Sequence, residues 1–244
     1  MAKKGTAKSV IILLLLAAAI VTVFIYKKIA TRNSLAAQIA ALSPRGAPPQ
    51  SIEDLRKAID LYEKKIDEHV KDAAQTGSYW KILGSRLVDR ELYAEALEAL
   101  EAAVIYYPED ESIHYLIGIS AGNLAQSEYF DPAVQENHFR IAESAYLRAL
   151  SIDSRYGKAL YGVSILYVFA LQRPGEAVPY LRRFLEINKE DVDAMFVLAN
   201  AYFQTGEIQN AVEVYDAIIG ITKDKEKIRQ AEQNKAEVVR RSYG

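Results

Sequence analysis

Residues Trp80–Asp110 read WKILGSRLVDRELYAEALEALEAAVIYYPED, and Gly84 within them decides the fold. A glycine inside a helix costs about 1 kcal/mol relative to alanine. This one sits early in an apolar pattern, beside the only tryptophan of the chain, where neither a cap nor a turn accounts for it. Trp80, Leu83, Gly84 and Leu87 share one helix face. After a break at VDRELY, Ala96, Leu100 and Ala103 mark a second helix, which Pro108 ends. A missing side chain on one helix lets its partner approach closely at interior packing density. If the same small residue returns at the same place further on, packing between repeated units explains it.

The pattern returns three times. Ile117 and Gly118 take the leucine–glycine stations, His114 stands where Trp80 stood, and Ala142, Tyr146 and Ala149 form the second helix. Gly118 and Ala142 are 24 residues apart, against 12 for Gly84 and Ala96. The sequence thus predicts a longer hairpin loop around AQSEYFDPAVQENHF. Next come Tyr161 and Gly162, then Ala177, Leu181 and Phe184, with a smaller insertion at LQRPGE and Phe184 in place of a small residue. The last set has regular spacing: Leu198, Ala199 and Tyr202, a turn at Gly206, then Ala211 and Tyr215, with Ile218 at the small station.

Helix hairpins with large and small residues at fixed stations resemble the tetratricopeptide repeat family, whose unit is 34 residues long. The resemblance covers residues 77–223 and implies an all-α solenoid of four hairpins. Stacked hairpins bury a continuous core only against neighbours, so the ends need polar caps. Residues 224–244 read as a capping helix, mostly polar, with Ile228, Ala231, Ala236 and Val239 as its apolar edge. Residues 51–76 read as a leading amphipathic helix with Leu55, Ile59, Leu61, Tyr62 and Ile66 apolar, opened by a capping box of Ser51 and Asp54. Pro44, Pro48 and Pro49 make residues 33–50 a stalk and linker.

The resemblance also implies a concave groove lined by first-helix positions. Carried over, these are Lys81, Ser85 and Asp89, then Tyr115, Ile119 and Asn123. The third hairpin would add Tyr156, Val163, Leu166 and Tyr167, and the fourth Phe196, Asn200, Phe203 and Gln204. Such a wall suits an apolar helix or an extended peptide with bulky side chains. Some relatives clamp a terminal carboxylate with paired Lys and Asn. Here Ser85 replaces the asparagine, and Ala159 and Val163 stand where further basic residues would help, so that mode is not expected.

Ahead of all this, Ser9–Tyr26 (SVIILLLLAAAIVTVFIY) carries no charge and is flanked by lysines. As a helix it would span about 27 Å, close to the hydrocarbon thickness of a bilayer. A cleaved signal peptide would have a shorter apolar core and a small-x-small site, whereas YKKIATRN follows here. Residues 1–32 are expected to be a tail and membrane anchor. Lys3, Lys4 and Lys8 oppose Lys27, Lys28 and Arg32, nearly a tie under the positive-inside rule, which the free amino terminus tips. That places residues 33–244 on the periplasmic side of a bacterial inner membrane; an organelle-anchored domain facing the cytosol is the alternative.

Charge and chemistry narrow the function. Those first residues hold six positive charges and no acid, leaving −8 on the rest of a chain whose net charge is −2. An acidic body excludes nucleic acid as main partner. No cysteine is present, so disulfides and thiolate chemistry are excluded. His69, His114 and His138 have no metal-pair spacing, and no phosphate loop or HExxH occurs. GISAG at Gly118–Gly122 is explained by close helix packing. No catalysis, metal or cofactor is expected. The expected role is a membrane-anchored interaction scaffold that takes a polypeptide in the groove. Alternatively, the solenoid is a structural subunit assembling through its convex face and insertion, or a receptor for precursors or chaperones.

Overall fold

The computed structural model describes Thr22 and residues 34–42, 52–127 and 131–243. All its regular elements among these residues are helical: α1 Leu35–Leu42, α2 Ile52–Val88, α3 Tyr93–Tyr106, α4 Glu111–Ser127, α5 Pro132–Ile152 and α6 Gly157–Ile165. A π-helical turn, Leu166–Ala170, prolongs α6. Then follow α7 Pro174–Ile187, α8 Val192–Gln204, α9 Ile208–Ile221 and α10 Lys225–Tyr243. The chain divides into two compact units, Met1–Asp72 and Ala73–Gly244. Apart from Thr22, the expected anchor Ser9–Tyr26 lies outside the described residues, as do half of the linker and Ser51 of the capping box. Among the described residues no helix is long and apolar enough to cross a membrane.

The second unit is a stack of antiparallel hairpins, the part of α2 from Ala73 on with α3, α4 with α5, α6 with α7 and α8 with α9, closed by α10. There is no break near residue 76: the expected leading helix and the first helix of the first hairpin are one helix of 37 residues. Gly77 and Ser78 look like a stop in the sequence, but the helix runs through them: a Cβ on Gly77 would collide with Tyr106 and lie 2.8 Å from Tyr107 Cε2, so the glycine serves close approach of α3 and not a turn. Trp80 and Leu83 stay 39% and 44% exposed, because the first hairpin has none before it to cover that face.

The glycine notches hold the hairpins together. A Cβ on Gly84 would lie 2.6 Å from Leu100 Cγ, on the second helix of the same hairpin. One on Gly118 would lie 2.5 Å from Tyr146 Cε1. Neither position has room for alanine without a shift of a buried partner. The Tyr146 ring continues past Gly118 to the third hairpin, where a Cβ on Gly162 would lie 2.8 Å from the same ring atom. One tyrosine thus occupies notches in two successive hairpins. Ala96, Ala103, Ala142, Ala149, Ala177 and Ala211 are fully buried along the second helices.

Two expectations need correction here. The described residues of the insertion in the second hairpin are mostly helical and lengthen both helices, to 17 residues in α4 and 21 in α5. Asp131 starts α5 by accepting from the amides of Ala133 and Val134 at 3.1 and 3.2 Å, with Pro132 in the first turn. An Asp-Pro start of this kind opens a helix. Gln135 Nε2 then donates to Ala125 O at 2.9 Å and ties the two arms. In α10 the buried residues are Ala231 and Val238, whereas Ala236 and Val239 are exposed. The apolar edge therefore runs Ile228, Ala231 and Val238. Lys227 and Lys235 fasten the helix to Asp193 and Asp216 at 2.7 and 2.6 Å.

Candidate functional site

The first helices of the hairpins set the wall, and each is registered from its start. Asp110 accepts from the amides of Ser112 and Ile113 at the head of α4. Tyr156 stands at the head of α6, and Asp191 caps α8 by accepting from Ala194 N at 2.9 Å. Eight residues on from each lies a small buried residue: Gly118, Ser164 and Ala199. The small station of the third hairpin is therefore Ser164, not Gly162. Its hydroxyl donates to Leu160 O at 2.7 Å, so a serine can be buried there without an unpaired polar atom.

That two-residue shift corrects the third hairpin's contribution. Val163 is fully buried and Tyr167 is 3% exposed, packed as core and not on an open wall. Leu166, 6% exposed, reaches a cleft only with its edge. Tyr156 sits at the helix head, edge-on to Tyr115 with ring centroids 5.7 Å apart. Burial, then Tyr115 and the nearby carboxylates Glu111, Asp110 and Asp153, push its hydroxyl up to about 12. In register with Ile119 and Asn123 stand instead Ile165 and Phe169. Phe169, missed by the sequence pattern, is 51% exposed. Counting from the helix start instead of from the glycine would have found it.

Phe169 stands between two clefts. One, of about 610 Å³, is bordered by Ile119, Asn123 and Gln126 of α4, Gln135, Phe139 and Tyr146 of α5, and Gly162, Ile165 and Ala170. The other, of about 340 Å³, is bordered by Phe196, Asn200 and Phe203 of α8, Tyr215 of α9, and Gln230, Asn234 and Val238 of α10. Both pair an aromatic and aliphatic floor with side-chain amides. The charged residues on these borders are Glu237 and Arg241, which pair with each other at 2.5 Å. C-terminal α10 therefore forms one wall of the second cleft while leaving Phe196 and Phe203 only partly covered.

The remaining predicted positions lie apart from these clefts. Lys81 and Ser85 are half-buried, and Asp89 and Gln204 are exposed. Lys81 Nζ donates to Asp110 Oδ2 at 2.6 Å, so its charge is already matched within the fold. Burial alone would raise the Asp110 carboxyl; the hydrogen bonds from Lys81 and Ser112 outweigh it and hold the group below its usual range. Behind Phe169, Tyr167 Oη and Arg173 Nη2 both donate to Glu143 Oε1, at 2.9 and 2.8 Å, and the guanidinium lies 4.8 Å from the Tyr167 ring centroid. This knot fixes the π-helical turn against α5. His114 is held by Pro108 O at 2.9 Å. Among the described residues no group of three His, Asp or Glu side chains is placed to hold a metal.

Comparison with known proteins agrees with this geometry. The tetratricopeptide repeat profile matches residues 83–128 and 164–226. A TPR repeat-containing protein of Borreliella burgdorferi is 24% identical over 186 residues, covering 76% of this chain and 80% of that protein. Among solved structures, YrrB, described as a TPR protein with an unusual peptide-binding site, superposes with a TM-score of 0.57 at 17% identity, covering 72% of this chain and 82% of its own. TTC0263, a thermophilic TPR protein of Thermus thermophilus, gives 0.52 at 17% identity over 75% and 89%. These likenesses establish the all-helical tetratricopeptide solenoid, and with it a fold suited to protein–protein interaction.

Proposed function

We propose that this protein is a membrane-anchored scaffold that holds an extended, largely uncharged polypeptide segment along the two clefts that meet at Phe169. The lining supports this reading. Side-chain amides at Asn123, Gln126 and Asn200 can both donate to and accept from a peptide main chain, as a β-strand neighbour would. Ile165, Phe169, Phe196 and Phe203 offer apolar surface for alternate side chains. Lys81 is held by Asp110, and the surplus charge beside the clefts is one positive charge at the end of α10, where Arg240 and Arg241 share Glu237; the clefts themselves are bordered by uncharged side chains and suit a largely uncharged segment. A solved neighbour of the same fold is itself described as peptide-binding.

The observation that carries the reading is Phe169, a large aromatic side chain held half-exposed between two amide-bordered clefts by the Glu143–Arg173–Tyr167 knot. Residues 9–26 supply the anchor in this proposal, and residues 33–244 lie on the outer face of a bacterial inner membrane. The test is affinity purification of the full chain in mild detergent, followed by mass spectrometry, beside a Phe169→Ala/Asn200→Ala/Phe203→Ala variant. The partner recovered with the parent should be lost from the variant at unchanged helicity. Equal recovery from a folded variant would refute the groove. Deleting 126–137 separates the structural-subunit alternative, which requires that insertion. Protease protection of residues 33–244 in intact cells tests the side of the membrane.

A further inference from the structure

The first unit carries an apolar stripe that stays exposed among the described residues. Along α2, Leu55, Ile59, Tyr62 and Ile66 are 40%, 53%, 51% and 59% exposed. Their spacing of four, three and four is the seam spacing of two helices wound together, positions d, a, d and a of a heptad. Short α1 does not serve as the second helix. It borders one flank of α2, where Leu35 and Gln38 share a cleft with Leu61, Lys64, Lys65 and Glu68, and leaves the stripe itself exposed. On a helix of 3.6 residues per turn, Leu61 and Lys64 lie well over 90° from the centre of the stripe.

We propose that this stripe pairs with the same stripe of a second copy of this chain, antiparallel. The charges beside the seam favour that occupant and that direction. With the helices reversed about a two-fold axis, Leu55 meets Ile66 of the second copy and Ile59 meets its Tyr62, so every layer is apolar. The exposed flank then sets Arg56 against Glu63, and the symmetry repeats that pair. The other flank is the side that borders α1: Ala58 is only 8% exposed, and Lys65 lines the α1 cleft and pairs with Glu68 at 3.0 Å, so no like charges are opposed across the seam there. A parallel pairing would set Glu63 against Ala58 and Lys65 against Val70, leaving both charges unmatched across the seam. A two-fold, isologous interface allows either direction, and the charges on this face match only when the second helix is turned around.

The test uses the full chain in detergent micelles, and the absence of cysteine makes introduced thiols unambiguous. Leu55→Cys mixed with Ile66→Cys should give a disulfide-linked dimer on mild oxidation, whereas Leu55→Cys alone should not, its two copies lying far apart. In sedimentation, Arg56→Glu should weaken the dimer on the order of tenfold, because two pairs become two repulsions, and Glu63→Arg in the same chain should restore it. These side chains are exposed, so the variants fold. A monomeric parent, dominant cross-linking of Leu55→Cys to itself, or failure of the charge exchange to restore pairing would each overturn the proposal.

Discussion

The third and fourth hairpins use the same stations and differ by one residue. From the buried small residue of the first helix to the buried alanine of the second there are 12 residues in the fourth (Ala199 to Ala211) and 13 in the third (Ser164 to Ala177). The extra residue is taken up in the π-helical turn Leu166–Ala170, with Val163, Ser164 and Ala177 still fully buried around it. Turns of this kind absorb a one-residue insertion inside a helix and recur at functional sites. Here the widened turn carries Phe169 to the junction of the two clefts. The fourth hairpin, without an insertion, presents Phe196, Asn200 and Phe203 from an ordinary helix.

The sharpest way to break this comparison is to fill the small stations. Ser164→Leu and Ala199→Leu should each destabilise the solenoid by about 3 kcal/mol, since both positions are fully buried and a leucine there overpacks the core. Urea unfolding followed by circular dichroism checks the match. A Ser164→Leu protein as stable as the parent would return the station to Gly162 and dissolve the one-residue difference. Next in size is the partner's affinity. Phe169→Ala should weaken it by about 2 kcal/mol, roughly 30-fold, with no change in melting temperature, and Phe203→Ala should do about the same. A loss at Phe203 alone would mean that the inserted turn has no part in binding.

A third comparison is electrostatic. Tyr167 and Tyr202 hold matching positions, eleven residues from Tyr156 and Asp191. Burial, then the hydrogen bond to Glu143 and the charge of that carboxylate, raise the Tyr167 hydroxyl well above the usual tyrosine range. A folded-state value above the unfolded one means a contribution fully present below the ordinary value near 10 and lost as the pH climbs through the higher folded value. Tyr167→Phe should therefore cost about 1 kcal/mol at neutral pH and flatten the alkaline fall of stability. Tyr202→Phe controls for removing a phenol from the unfolded chain. An unchanged alkaline limb in Tyr167→Phe would take the knot out of the account.

How far these features can be read without coordinates follows from the residues that report them. Gly84 and Gly118 announced their notches, because nothing else explains a glycine inside a helix, and the large partners Leu100 and Tyr146 lay at the expected stations. Gly162 misled for the same reason. It is a notch, but it faces Tyr146 of the preceding hairpin, and a pattern of small residues does not say which neighbour fills them. Groove positions counted from Gly162 therefore fell on Val163 and Tyr167, in the core. A serine satisfied by its own helix carries no such signal, so Ser164 passed as an ordinary polar residue. The helical character of the insertion was hidden too, since only the Asp131–Pro132 start marks where α5 begins.

The smallest expected effect isolates the turns themselves. Five residues before the buried alanine, the first, third and fourth hairpins turn through a left-handed residue: Glu91 with φ 61°, Gln172 with φ 53° and Gly206 with φ 81°. At Gly206 the amide of Glu207 closes on Tyr202 O at 2.8 Å, and Leu92 closes on Leu87 O in the same way at 2.9 Å. Glycine adopts this conformation freely, whereas a side chain makes it cost about 1–2 kcal/mol. Nothing lies within 4 Å of a Cβ at Gly206, so Gly206→Ala should lose about 1 kcal/mol from backbone conformation alone. Gln172→Gly should move the other way, by only about 0.5 kcal/mol, because glycine also frees the unfolded chain. It gives up, besides, the exposed bond from Gln172 Nε2 to Phe169 O at 3.0 Å. Glu91→Gly, with no such bond to lose, should gain slightly more. If Gln172→Gly instead lowers stability while Glu91→Gly raises it, the glutamine bond to Phe169 O is what holds the inserted turn closed, and the third hairpin differs from the fourth by that bond as well as by one residue.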